Sequence, residues 1–331
     1  MPIVAIDVMS GDREPHERIA GTLEALRRRR DLRVRLVGRP EDIAPRLHGL
    51  RGPLATRIDI VPASQIIAMD EAPRAAVRHG RDASMRIAVN LVKEGGAAAC
   101  VSAGNTGALT AIAHFVLKTV PNVERAAIMS AVPSLKGRTH MLDLGANTRA
   151  TAVQLDQFAR MGAIVARHLH GIEAPRVGLL NVGEEDMKGH EVVQAAHALL
   201  GQSGIRYVGF VEGDAIFTGE VDVVVTDGFT GNVALKTMEG LARLIVVRTR
   251  SELRTSLRGA VGAWIARPAL RGLTEELDPR RYNGACMVGL TGIVVKSHGR
   301  ADATAFGRAI DLAAHAADGA ITTRIADAFA A

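Results

Sequence analysis

Aromatic side chains are scarce in this chain of 331 residues: they make up 3%, with one tryptophan, two tyrosines and seven phenylalanines. Base stacking on single-stranded nucleic acid and sugar recognition on ring faces both need such rings, so neither is expected. Cysteine is nearly absent. Cys100 and Cys286 can form at most one bridge, which excludes the disulfide framework of a small secreted domain and favours a reducing compartment. No uncharged apolar run reaches the roughly 18–20 residues that a membrane-spanning helix needs. The N-terminus arrives at Asp7 too soon for a basic segment followed by an apolar one, so no signal peptide is expected. Gly-x-Ser-x-Gly, Cys-x-x-Cys, the Walker lysine loop and His-Glu-x-x-His are all missing, and Met9-Ser10-Gly11-Asp12 is not a dinucleotide-binding turn. Serine hydrolase, zinc, nucleoside-triphosphatase and nicotinamide chemistries therefore lack their signatures, and no cofactor is expected.

What is present is an ordinary globular composition, 47% hydrophobic and 23% charged, whose core must be aliphatic. The net charge of +6 favours acidic partners through long-range steering. The run Arg27 to Arg30 closes a predicted helix (Glu17 to Arg30), where basic residues complement the dipole, and it reads as a solvated helix end rather than a nucleic-acid patch. Short apolar runs alternate with helical patterns throughout, the mark of an α/β protein with a mostly parallel sheet. Predicted strands are 3–7, 33–37, 97–101, 127–131, 139–143, 176–181, 207–211, 221–226 and 292–296, most of them ending in Gly, Asn, Asp or Ser. Ligands in such folds bind beyond the carboxyl ends of strands.

Four segments at strand ends carry candidate chemistry. In Ser102-Ala103-Gly104-Asn105-Thr106-Gly107 a strand gives way to small residues and then to a helix, a turn that aims backbone amides at one point, with hydroxyls on Ser102 and Thr106 as further donors. Thr226-Asp227-Gly228-Phe229-Thr230-Gly231-Asn232 repeats the arrangement. Two such turns suggest two anionic groups, or one gripped from both sides; the bland alternative is glycine serving only the turns. In Asn181 to Gly189, the carboxylates of Glu184, Glu185 and Asp186 lack the spacing that gathers metal ligands, whereas Lys188 can neutralise an anion or stabilise charge developing on a carbonyl oxygen. Lys296-Ser297-His298-Gly299 ends a further strand. An enzyme that handles anions without a protein nucleophile remains, and inorganic phosphate can itself be the nucleophile.

These residues resemble the phosphate acyltransferases of bacterial phospholipid synthesis, the PlsX family. The resemblance runs nearly the full chain, through Ala5 to Asp12, Met69-Asp70-Glu71-Ala72-Pro73, Leu91 to Leu109, Leu142-Asp143-Leu144-Gly145-Ala146-Asn147, Asn181 to Gly189, Phe210 to Gly213, Val221 to Glu239 and Val294 to Asp302. It implies a three-layer α/β/α sandwich of the isocitrate dehydrogenase and phosphotransacetylase kind, spanning 1–331 as one catalytic domain. It also implies a homodimer and transfer of an acyl group from acyl-acyl-carrier protein to inorganic phosphate. Lys188 and Asn232 are then expected at the reaction centre. Ser102, Gly104, Asn105, Thr106, Gly107, Gly228, Thr230, Gly231, Lys296 and His298 are expected around phosphate and substrate. Three departures from the family pattern stand out: Ser10 in place of a second glycine, Arg149-Ala150-Thr151-Ala152-Val153 in place of Asp-Cys-x-Pro-Glu, and Arg300 in place of a small residue. Competing readings are a nicotinamide-dependent hydroxy-acid dehydrogenase on the related fold and a catalytically impaired membrane scaffold.

Residues 233–275 read as a helical hairpin projecting from the body, with a helix from Val233 to about Leu257. Its tip holds Val261, Trp264 and Ile265, flanked by Arg254, Arg258, Arg267 and Arg271. Apolar residues beside arginines suit a dimer contact at the base and an anionic membrane surface at the tip, which would place the protein in the cytoplasm and peripherally on the inner face of the cell membrane; the bland alternative is a core-packed helix pair.

Overall fold

The computed structural model describes residues 1–254, 261, 262, 264–266 and 278–330. Arg258, Arg267 and Arg271, expected to flank the tip, lie outside the described residues. One eleven-stranded sheet organises the chain, in the order β3-β2-β1-β4-β11-β10-β5-β6-β9-β7-β8. The strands are β1 (Ile3–Asp7), β2 (Arg33–Gly38), β3 (Ile58–Pro62), β4 (Ala99–Ser102), β5 (Ala127–Ser134), β6 (Gly137–Leu142), β7 (Val177–Leu180), β8 (Tyr207–Val211), β9 (Val223–Val225), β10 (Ala285–Val288) and β11 (Ile293–Lys296). The sequence pattern missed β3 and β10. Both are short, and β3 carries polar Asp59 and ends in Pro62 at the sheet edge, where a missing N–H costs no ladder bond.

Alternate residues of the strands feed two separate cores. Val4 and Ile6 of β1 pack with α1 (Pro15–Arg28), α6 (Ala152–His170) and two C-terminal helices, α10 (Ala303–Asp318) and α11 (Ile321–Ala330). Ala5 faces the other way, toward α4 (Ser84–Lys93), α5 (Thr106–Leu117) and the start of α9 (Gly228–Arg254). Burial on both faces is what the near-continuous apolar strands require, and it produces the three layers.

Strand direction reverses across the sheet. Strands β3, β2, β1, β4 and β11 run parallel to one another, as do β6, β9, β7 and β8. Between them β10 pairs antiparallel with β11 and β5, and β5 pairs antiparallel with β6. An odd number of antiparallel steps separates the two groups, so their carboxyl ends lie at opposite ends of the sheet.

The altered segment before α6 has a local explanation: Thr151 caps the helix, accepting from the Gln154 N–H at 3.2 Å while Gln154 Oε1 accepts from the Thr151 N–H at 3.1 Å. On β6, His140 is 2% exposed, its ring stacks on His170 with centroids 4.6 Å apart, and its Nε2 is buried without a partner. Burial pushes its pKa down to about 4, against an ordinary value of 6.5. The unfolded chain therefore binds this proton at a pH where the folded protein refuses it, and stability falls as pH drops from about 6.5 to about 4. The full shift corresponds to about 3 kcal/mol. A lower urea midpoint at pH 5 than at pH 7 is expected, with a smaller difference in His140→Gln; an unchanged difference in the variant would assign the pH dependence to other groups.

Candidate active site

At one end of the sheet, three strand termini converge. Asp7 closes β1 fully buried, and its carboxylate accepts from the hydroxyls of Ser84 and Ser102, both at 2.6 Å. Ser102 in turn accepts from the Gly104 N–H at 3.1 Å. The Ser102 hydroxyl, expected as a phosphate donor, thus gives its proton to Asp7 and shapes the turn. Gly104 is buried, and a Cβ there would stand 2.9 Å from that of Ser10. Asn105 caps α5 by accepting from the Ala108 N–H at 3.0 Å, and its amide donates to the carbonyls of Met69 and Glu71 at 2.8 and 3.1 Å. Thr106 and Gly107 are exposed in the first turn of α5, where free backbone amides and the helix dipole favour an anion.

The segment after β11 closes this group. The Lys296 ammonium donates to the carbonyl of Ser297, and to that of Ala103 at 3.5 Å, and burial with the nearby charge of Lys236 pushes its pKa down to about 8. His298 is exposed, accepts from the Arg300 N–H at 3.1 Å and is pushed down by burial and by Lys236. Arg18 is 0% exposed and was not foreseen. It donates to the carbonyls of Ser10, Gly299 and Ala301 at 3.3, 3.1 and 3.4 Å, binding the first turn to the last. Its position in α1 reads as an ordinary charge on an amphipathic helix, so the pattern hides it. Arg300 joins the same contact, with Nε 3.8 Å from Asp12.

A second group forms where β6, β9 and β7 end. The Asp143 carboxylate is buried and gathers a loop around itself: Oδ1 accepts from the N–H groups of Ile128, Gly145 and Ala146 at 2.9, 3.2 and 3.1 Å, and Oδ2 from the Asn147 N–H and side-chain amide at 2.7 and 3.0 Å. Burial pushes its pKa up, and these donors oppose the shift. Residues Gly228 to Asn232, expected as a loop, form the first turn of α9, with the Asp227 carboxylate accepting from the Thr230 N–H at 2.7 Å. The turn sits on the Asp143 loop. The Gly228 N–H donates to the Asn147 carbonyl at 2.7 Å, a Cβ at Gly228 would stand 2.6 Å from that oxygen, and a Cβ at Gly231 would overlap the Asp143 carbonyl. These glycines serve close backbone packing. Asn232 is exposed beside Gly145, whose φ is +128°, and its amide makes no hydrogen bond among the described residues.

Lys188 lies in the loop after β7, the parallel sheet neighbour of β9, whose own end leads into α9. Its N–H donates to the Glu185 carbonyl at 2.9 Å and its carbonyl accepts from Gln194. The side chain is exposed and its ammonium has no polar partner among the described residues. Glu184, Glu185 and Asp186 are also exposed, and no three metal-ligating side chains cluster among the described residues. Helix α9 bridges the two ends of the sheet. Asn232 and Lys236 are four residues apart and share a helix face, and the charge of Lys236 reaches Lys296 and His298. Both cysteines are buried, and burial pushes the Cys286 thiol up to about 12 and Cys100 beyond it, so neither supplies a thiolate near neutral pH.

Comparison with known proteins identifies the family. The sequence matches the fatty acid synthesis protein family over residues 3–324. It is 50% identical over 316 residues to the phosphate acyltransferase of Halorhodospira halophila, covering 95% of this chain and 92% of that one. The phosphate acyltransferase of Alkalilimnicola ehrlichii is 51% identical over 310 residues, covering 94% and 91%. The chain belongs to the phosphate acyltransferase family. It is an acyltransferase of phospholipid synthesis that acts on phosphate, and the dehydrogenase and scaffold readings give way. Among solved structures, a phosphotransacetylase from Streptococcus pyogenes aligns with a TM-score of 0.62 at 18% identity, covering 96% of this chain and 94% of that one. A branched-chain phosphotransacylase from Enterococcus faecalis aligns at 0.61 and 17%, covering 96% and 99%. These distant neighbours share the α/β/α fold expected from the sequence.

Proposed function

We propose that this phosphate acyltransferase takes its acyl group from an acyl-acyl-carrier protein and passes it directly to inorganic phosphate. The observation that carries the site assignment is the placement of Lys188 and Asn232, two exposed groups whose side chains have no polar partner among the described residues, on segments that follow adjacent parallel strands. A phosphate oxygen forms a bond to the thioester carbonyl carbon, the C–S bond breaks, and the phosphopantetheine thiolate leaves and takes a proton from solvent. A thiol with pKa near 8.5 needs little acid assistance to leave. The Lys188 ammonium stabilises the negative charge that develops on the carbonyl oxygen, and Asn232 orients the thioester. Phosphate is held by the exposed N-terminal turn of α5 at Thr106 and Gly107, whereas Gly228, Thr230 and Gly231 build the first turn of α9 and spend their N–H groups on Asn147 and Asp227. Lys296 supplies positive charge, and the His298 ring, kept neutral near pH 7 by burial and by Lys236 and accepting at Nδ1 from the Arg300 N–H, offers its other ring nitrogen as a donor. Ser102, Gly104 and Asn105 build the turn. The test is formation of acyl phosphate from acyl-carrier protein and phosphate with neither nicotinamide nor added metal; its absence in the folded protein would refute the assignment.

The outer part of α9 supports a homodimer. Leu241, Leu244 and Ile245, with the i, i+3, i+4 spacing of a helix stripe, are 53–55% exposed, more apolar surface than a lone helix in water keeps uncovered. Val261, Trp264 and Ile265 are 53%, 73% and 67% exposed, and no helix among the described residues is long and apolar enough to cross a membrane. A shallow interfacial contact of the cytoplasmic protein with anionic lipid fits these groups. Trp264→Asp with Ile265→Asp is expected to abolish co-sedimentation with anionic vesicles while activity is retained. Equal sedimentation of variant and wild type would remove the tip from membrane binding.

A further inference from the structure

Outside the site, α3 (Pro73–His79), α4 and the C-terminal half of α5 enclose a concavity of about 470 Å³ lined by Val77, Arg78, Arg81, Arg86, Asn90 and Phe115. No carboxylate among the described residues lines it. Arg78 and Arg81 make no ion pair or hydrogen bond among the described residues. Arg86 has one amino group buried without a partner among the described residues, and its Nε donates only to the side-chain oxygen Oδ1 of Asn90, at 3.4 Å. Burial pushes the Arg86 pKa down, and the neighbouring charge of Arg81 adds to the shift. At the centre, Phe115 is 52% exposed, with the Arg86 guanidinium 5.0 Å and the Lys118 ammonium 5.1 Å from its ring centroid.

Four cations with no carboxylate partner among the described residues, set around an exposed aromatic ring, are costly in the free protein, and a ligand that brings negative charge relieves the repulsion. A small anion would call for donors converging in an enclosed pocket. Here the cations come from α3 (Arg78), the turn after it (Arg81), α4 (Arg86) and the residue that ends α5 (Lys118), and they ring an open apolar centre, the layout of a protein interface with an aromatic anchor and a charged rim. From Thr106 in the glycine turn to Phe115 is nine residues of one helix, roughly 14 Å along its axis. A partner seated here is thus one helix length from the phosphate turn, a gap that an extended thioester-bearing arm can span.

We propose that this concavity is the docking surface for the acidic carrier protein, with Phe115 as anchor and Arg78, Arg81, Arg86 and Lys118 meeting its carboxylates. The inference rests on the carrier-linked donor proposed above. Its test compares wild type with Arg78→Glu/Arg81→Glu and, separately, Phe115→Ala, using acyl-carrier protein and an acyl-pantetheine thioester that lacks the protein. Opposed rim charges weaken encounter and retention, so a rise of about tenfold or more in KM for the carrier-linked substrate is expected, with weaker dependence on salt. Kinetics with acyl-pantetheine should be unchanged. Calorimetric binding of the acylated carrier protein reads the surface independently of turnover: a wild type that binds it but makes no acyl phosphate refutes the catalytic reading while this surface stands. Carrier affinity unaltered in both variants, equal losses on both substrates, or displacement of the effect onto binding of inorganic pyrophosphate alone would overturn the docking assignment.

Discussion

Lys188→Ala is expected to lower turnover about a hundredfold or more, since loss of one preorganised group that stabilises developing oxyanion charge commonly costs that much. The expectation depends on the loop surviving the substitution, and its bonds are with the backbone. The Lys188 N–H meets the Glu185 carbonyl at 2.9 Å, its own carbonyl accepts from Gln194, and the exposed ammonium has no polar partner among the described residues. Removing the side chain should therefore leave the thermal midpoint nearly unchanged while kcat falls and KM for phosphate moves little. Lys188→Arg keeps the charge on a different geometry and should recover only part of the rate. Near-wild-type kcat in a folded Lys188→Ala protein would take Lys188 out of the mechanism.

The exposed loop position of Lys188, bounded by glycines after an apolar strand, was legible in the pattern, and the alternation of apolar runs with helical patterns revealed the α/β class. The reversal of strand direction was not legible. It arises from two antiparallel steps around β10 and the antiparallel β5 and β6 pair, and β10 is only Ala285–Val288, too short to show a period. Buried polar groups were equally hidden. Asp7 and Asp143 end apolar strands, yet sequence does not say that one carboxylate collects two serine hydroxyls and the other five N–H bonds. Arg18 needs the packed structure to explain it, because its partners are carbonyls of residues 10, 299 and 301. The glycines of the second turn were found for one reason and used for another. Pattern reading takes Gly228 and Gly231 as phosphate-loop residues, whereas their lack of a Cβ lets α9 settle onto the Asp143 loop.

That distinction gives Gly231→Ala a large expected effect. A Cβ at Gly231 would overlap the Asp143 carbonyl oxygen, and the obstacle is backbone, held in place by the bonds that the Asp143 side chain makes with its own loop. Neither partner can yield as a flexible side chain would, so the first turn of α9 must lift away from the loop. Overpacking of this kind costs about 1–3 kcal/mol. The lift also moves Asn232, one residue on, and a displacement near 1 Å at a positioning residue is worth roughly a hundredfold in rate. Gly240→Ala supplies the control within the same helix: that glycine is exposed, a Cβ there meets nothing within 4 Å, and alanine should stabilise the helix by up to about 1 kcal/mol. The measurement is the thermal midpoint together with turnover in both variants. A Gly231→Ala protein with wild-type midpoint and rate would show that the α9 turn does not rest on the Asp143 loop as closely as this packing requires, and would return Gly231 to the role of a simple phosphate-loop glycine.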